Sequence, residues 1–321
     1  MEKQGQKCVV NIPDPKYRDD VLHPCIRYVE EGYCGHHWWM VMSPFYGQDD
    51  TIENPILFYG DAELDGTPPL TWRFAEVVKD TPSSGYNSDP CLCFDQGSLW
   101  VVWREFRTDR VLKAGYNTAI YGVRYDASFQ RQEEIFLGGE SSNTELTDLS
   151  PIILKVDKKW VSHTMYVHLE NSLFRRGRIK LARFLGKRGS AHTALGLRVK
   201  KADNLQDLEK ADASLKSLQG NLIGLLPWHF DLFFYQDRMF MLLFCQGEEN
   251  IYLAEYKAGR FVVFDDPLLE QEVVSMYKPT GVVMGEKLYL YYTDRNNPED
   301  TKQHVLYRYF INISDYLETH K

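Results

Sequence analysis

The stretch YNSDPCLCFDQGSLWVVWRE, residues 86–105, decides how the rest of the chain is read. Alternation in CLCF and the apolar run LWVVW give two strands, and Asp95-Gln96-Gly97 supplies a glycine-bearing reversal between them. A proline at a strand's first position, here Pro90, removes no interior ladder bond. Asp89, directly ahead of it, then stands at the strand's mouth, where a carboxylate can face a cavity. A hairpin accounts for the turn but not for the aspartate.

The pattern returns in degraded form as HPCIRYVEEGYCGHHWWMVMSPF from His23, SPIILKVDKKWVSHTMYV from Ser150, HFDLFFYQDRMFMLLFC from His229 and KPTGVVMGEKLYLYYTD from Lys278. In four of the five copies a proline follows the first residue. The spacing, roughly 50 to 80 residues, suits a four-stranded sheet with its loops, and stretches such as ENPILFYGD and NTAIYGVRYD supply the further strands. This predicts an all-β, five-bladed β-propeller spanning residues 1–321 as one domain, with blades starting near 23, 89, 150, 229 and 278. Residues 196–219 are polar with partly helical character and read as an insertion between blades three and four. KCVVNI near the N-terminus is expected to pair with the last blade and close the ring, removing a sheet edge.

In such a ring the first strand of each blade lines a central channel. His23, Asp89, Ser150, His229 and Lys278 then share one rim. Strand periodicity places Cys25, Cys91, Ile152, Asp231 and Thr280 one layer inward. Asp89 therefore belongs to a ring of polar groups that converge on one pocket.

Composition narrows the function classes. The 321 residues can bury a large core, and 14% are aromatic, which suits half-buried pleated surfaces. A formal net charge of −8 argues against a dedicated nucleic-acid partner. No apolar stretch approaches the roughly 18 residues of a spanning helix, so no membrane partner is expected. No basic segment with a long apolar run opens the chain, which favours a cytoplasmic location if Met1 is the natural start. The cysteines (8, 25, 34, 91, 93 and 245) lack the paired spacing of a zinc site and read as reduced thiols. No cofactor is expected, and no metal-ligand cluster is visible in the spacing.

The motifs HPCIRY, WWMVMSPF, IENPILF, NSDPCLCF, PWHFDLFF and LYLYYTD, spread over about residues 22–295, make the chain resemble the five-bladed propeller glycoside hydrolases of family 43. The resemblance is strongest to divergent members that carry His-Pro in blade one and Glu-Asn-Pro on a later strand. It implies a carbohydrate substrate, an oligosaccharide or polysaccharide. It also implies inverting hydrolysis by an aspartate base, a tuning aspartate and a glutamate acid, with room between the carboxyls for a water. Asp89 matches the tuning aspartate. The chain departs from the pattern at His23, where the family places its base, and at Ser150, where blade three lacks the glutamate.

The candidate catalytic residues are accordingly Asp89, Asp231, Glu53 and His23. Asp89 is either a pocket carboxylate or a cap on loop amides. Asp231, in WHFD, is a base or a buried structural anion. Glu53, in IENP, is the missing acid or an ion-pair partner of Arg104 or Arg107. His23 is a proton donor or a carbonyl-bound structural ring. Candidate substrate-binding groups are His229, Lys278, Trp228, Glu105, Asp148 and Tyr46. The basic run 174–189 reads as a solvated outer strand or a glycan contact. The leading expectation is exo-acting, inverting glycoside hydrolysis. Glycoside phosphorolysis, which would need two or three cations beside the carboxylate, and glycan binding without turnover are the alternatives.

Overall fold

A computed structural model describes residues 5–17, 20–107, 117–141, 146–169, 192–220, 226–246, 250–270, 276–294 and 304–320. Five sheets, antiparallel except for a short parallel edge strand in two of them, each begin with a channel strand: Leu22–Tyr33, Tyr86–Asp95, Leu146–Val156, Leu226–Tyr235 and Thr280–Met284. These five touch one another in ring order, the fifth against the first. The fold is the five-bladed β-propeller that the repeat predicts, and the blades start where the sequence places them.

Local chemistry sets the hairpins. Asp95 pairs with Ser98 across Gln96 and Gly97, both at positive φ (49° and 71°). That is the backbone twist a two-residue turn needs to match its strands. The same geometry recurs at Cys34-Gly35, Asp157-Lys158 and Gln236-Asp237, so four blades turn between their first two strands in one way.

Two expectations change. Residues 196–219 are not an insertion: His192–Ala202 and Ala213–Lys216 are the third and fourth strands of blade three. Their polar character reflects an outer position, where one face meets solvent. Ring closure is shared between two blades. Gln6–Lys7 pairs with the outer strand Val305–Asn312 of blade five, and Val9–Asn11 lies parallel on Thr71–Val77 of blade one. One short segment thus covers two sheet edges that would otherwise be open. Among the described residues, no helix is long and apolar enough to cross a membrane.

One layer inside the rim the channel is plugged. Cys25, Cys91 and Ile152 are fully buried, and Asp231 meets Arg27 there.

Candidate functional site

The X-Pro steps build the rim. His23, Asp89 and Ser150 all lie at positive φ (55°, 52° and 49°), each just before a proline and each at a break in the register with the second strand. A bulge re-aims a side chain, and non-glycine residues adopt this conformation at a cost of roughly 1–3 kcal/mol. The strain turns three side chains toward the axis. Blade four breaks register between Pro227 and His229 and so delivers the His229 ring to the same place.

Asp89, fully buried, is the hub. Its Oδ2 accepts from Arg104 Nε at 2.9 Å and from the Ser150 amide at 3.3 Å; its Oδ1 accepts from the Ser150 hydroxyl at 3.4 Å. His229 Nδ1 lies 3.3 Å and His23 Nε2 3.6 Å from the same Oδ1. Ser150 Oγ also contacts His229 Nδ1 at 2.5 Å. On its other side the His23 ring places Nδ1 at 3.3 Å from Ser43 Oγ and 3.9 Å from Glu53 Oε2. The two imidazoles stand 4.7 Å apart, and the Tyr277 ring packs on both. Buried Lys278 donates from Nζ to the Pro90 carbonyl at 3.3 Å.

Electrostatics separate these groups. Burial pushes the Asp89 carboxyl up, but the positive charge of Arg104, with that of Lys278, outweighs it and holds the group far below the usual carboxylate range. Burial lowers both imidazoles, His229 to about 3, so they stay neutral. Glu53 moves the opposite way. Burial raises it well above the carboxylate range, and Asp89 adds to the effect against the pull of Ser88 and Arg104. The site therefore holds one fixed anion, two neutral imidazoles and one carboxyl poised to keep its proton.

Three of the buried side-chain atoms that lack a hydrogen-bond partner among the described residues belong to this cluster: His23 Nε2, His229 Nε2 and Glu53 Oε2. Three unmatched polar atoms gathered in one cluster leave hydrogen-bonding or ligating capacity open to an occupant. His23, Asp89 and His229 offer ligand atoms that all lie within 4.8 Å of one another. The His–Asp separations of 3.3 and 3.6 Å exceed a good hydrogen bond. Two neutral imidazoles and an ionised carboxylate are the donor set of a divalent transition ion, and they fit one here. Sequence spacing shows no such cluster because the three residues come from three blades.

Of the sequence-derived candidates, His23, Asp89, His229, Glu53 and Lys278 meet at the rim. Asp231 lies one layer deeper, with its oxygens taken by Arg27 (2.7 and 2.9 Å), Thr280 (2.6 Å) and the amides of Leu232 and Gly281. Trp228 packs edge-on to His229 at 6.1 Å. Tyr46 sits in a short turn after blade one's second strand and packs on that blade's core. Glu105 points to the opposite face from its neighbour Arg104 and accepts from Arg107 Nε at 2.5 Å. The side chain of Asp148, like the run 174–189, lies outside the described residues. Ser150 takes the rim position the repeat predicts, and Arg104, to which the sequence assigns no role in the site, joins it as a partner of Asp89. Alternation along LWVVWRE offered a signal for Arg104, since its cross-strand partner is Ser88, beside Asp89.

Solved structures share this architecture. An N-acetylgalactosamine deacetylase from F. plautii, in complex with blood group B trisaccharide, superposes with a TM-score of 0.68 at 15% identity, covering 95% of this chain and 93% of that one. A GH43_1 enzyme from Xanthomonas citri gives 0.60 at 10% identity, over 91% and 88%. The xylan beta-1,4-xylosidase from Bacillus halodurans gives 0.61 at 14%, over 91% of this chain and 53% of that one. The chain thus has the propeller of the family 43 glycoside hydrolases and their structural relatives; at these identities the likeness establishes the fold. No protein-family model matches the sequence, and no curated protein is significantly similar to it.

Proposed function

We propose that the protein is a carbohydrate-active hydrolase that removes an acyl group, such as an N- or O-acetyl, from a sugar bound at the channel rim. The charge balance around Asp89 carries this reading. Its one ionised carboxylate is already paired with Arg104, Lys278 lies beside it, and burial pushes Glu53 toward its protonated form. Such a site favours a transition state that develops negative charge, as the tetrahedral oxyanion of acyl transfer does. Glycoside cleavage develops positive charge on the sugar and wants two carboxyls with open space between them. Here the His23 ring fills the space between Asp89 and Glu53, presenting one nitrogen to each.

The residues divide the work. Ser150 positions His229, Ser43 positions His23, and Arg104 anchors the Asp89 that faces both rings. Glu53 supplies its proton to the departing nitrogen or oxygen and recovers one from the attacking water, so the carboxyl ends the cycle as it began. Lys278 adds positive potential near the acyl oxygen. A divalent ion held by His23, Asp89 and His229 would polarise that oxygen and acidify a bound water. The activity named for the F. plautii structure supports the same reaction class.

A second reading, inverting and exo-acting glycoside hydrolysis with Glu53 as acid, is favoured by the raised Glu53 carboxyl and by the xylosidases that share the fold. One assay divides them. With a panel of aryl N-acetylglycosaminides and acetylated oligosaccharides, we expect acetate without new reducing ends, abolished in Asp89→Asn. New reducing ends without acetate would select the second reading. Neither product across the panel would leave a glycan-binding protein without turnover.

A further inference from the structure

We propose a second carbohydrate site on the opposite face of the propeller, a groove between blades two and three whose platform is Trp100. The groove has a volume of about 470 Å³, inside the roughly 300–1,000 Å³ range of small-molecule sites. It opens where the blade-two channel strand ends at Asp95. Asp89 lies six residues back along that strand, so the groove is about 20 Å from the rim site.

Its chemistry is that of a sugar subsite. The Trp100 and Trp160 rings meet edge to face, with centroids 6.2 Å apart. Trp160 is buried beneath Lys155, whose ammonium lies 5.4 Å from its ring centre and is itself held by Asp95 at 2.7 Å. Trp100 is half-buried and faces the opening, so one flat aromatic surface is braced from behind and left accessible. Arg124 sits directly across the ladder from Trp100, and Glu133, in the register shift between Arg131 and Glu134 of the next strand, lines the same groove. Gln206, on the short helical turn Leu205–Glu209 of blade three, faces them from the other wall. Neither the Arg124 nor the Glu133 side chain has a hydrogen bond or ion pair among the described residues, so a donor and an acceptor line the platform unspent. Mixed charge around an aromatic face suits a neutral polyhydroxylated ring, whose apolar C–H face stacks while its hydroxyls bond at the edge. A polyanion would meet Glu133 and Asp95 together with a net charge of −8.

A site on the far face cannot feed the rim pocket. It tethers the protein to a polymeric glycan and raises the local concentration of chain around the reaction centre. Affinity electrophoresis tests this without relying on turnover. The wild-type chain is run through gels containing arabinoxylan, galactomannan or mucin glycans, beside Trp100→Ala and Arg124→Ala. Arg124 is exposed, so its variant keeps the fold if Trp100→Ala does not. We expect retardation of the wild type in at least one gel, reduced at least tenfold in apparent affinity by each folded variant and unchanged in Asp89→Asn. No retardation in any gel, or retardation that survives both groove variants, would overturn the proposal. Retardation lost only in Asp89→Asn would assign all glycan binding to the rim and overturn it equally.

Discussion

Asp231 of blade four grips Arg27 of blade one across the channel, through hydrogen bonds of 2.9 Å from Nη1 and 2.7 Å from Nη2. Blade five separates these two blades around the ring, so the pair acts as a cross-brace. Asp231→Ala strands a largely buried guanidinium and is expected to cost about 3–5 kcal/mol in urea unfolding. The apolar pair Arg27→Met with Asp231→Leu should recover most of that loss. Turnover by Asp231→Ala at a temperature where it stays folded should remain near the wild-type rate. Lost turnover at unchanged stability would instead make Asp231 a reacting group.

The donor set at the rim leads to a stability readout. Zn²⁺ or Mn²⁺ at about one hundred times its dissociation constant should stabilise the chelator-treated protein by about 2.7 kcal/mol, seen as a higher unfolding midpoint. Asp89→Asn and His23→Asn should both lose the effect. A midpoint unmoved by either ion in the wild type would mean that these residues hold no metal.

Glu53 should govern the alkaline limb of the rate profile. A carboxyl that donates a proton must be protonated, and burial raises its pKa well above the usual range, so activity should fall as pH rises through that value. Glu53→Gln keeps the shape and the neutral charge but cannot donate. Turnover should drop by about 10²–10⁴-fold, and the residual rate should lose the alkaline limb. An unchanged profile in Glu53→Gln would remove Glu53 from the reaction.

Two neutral buried imidazoles make the fold sensitive to acid. His23 and His229 have folded pKa values below that of the free side chain, His229 at about 3 against 6.5. Unfolded chains therefore take up protons that the native state refuses. The stabilisation is complete above pH 6.5 and is lost as pH falls toward 3. Each such histidine should steepen the loss by up to about 1.4 kcal/mol per pH unit in that window. Urea unfolding between pH 7 and 5 should show the slope, and His229→Gln should reduce it. Equal slopes in the two proteins would mean that His229 is charged in the native state.

The repeat was legible because blade formation is local. Alternating apolar residues, two-residue turns and X-Pro steps each act within a few positions, so residues 86–105 carried the hairpin and its recurrence carried the ring. The misread stretch 196–219 has a physical reason as well: outer strands bury one face at most, and Ala213–Lys216 is almost wholly exposed, so it lacks the alternation that marks a strand. Rim membership of His23, Asp89, His229 and Lys278 followed from the alignment of the copies. Arg104 was harder to find because it enters from a second strand.

What this sequence determined on its own was the number of sheets, their order and the polar residue that heads each channel strand, since these follow from short-range periodicity and backbone preference. Only the tertiary structure decided what those residues do to one another. Whether a carboxyl is ionised or protonated depends on charges brought within a few ångströms from other blades. Asp89 is held as an anion by Arg104 and its neighbours, while Glu53, of the same chemical type, is pushed to keep its proton. That difference arises from through-space distance and burial, which spacing along the chain does not encode.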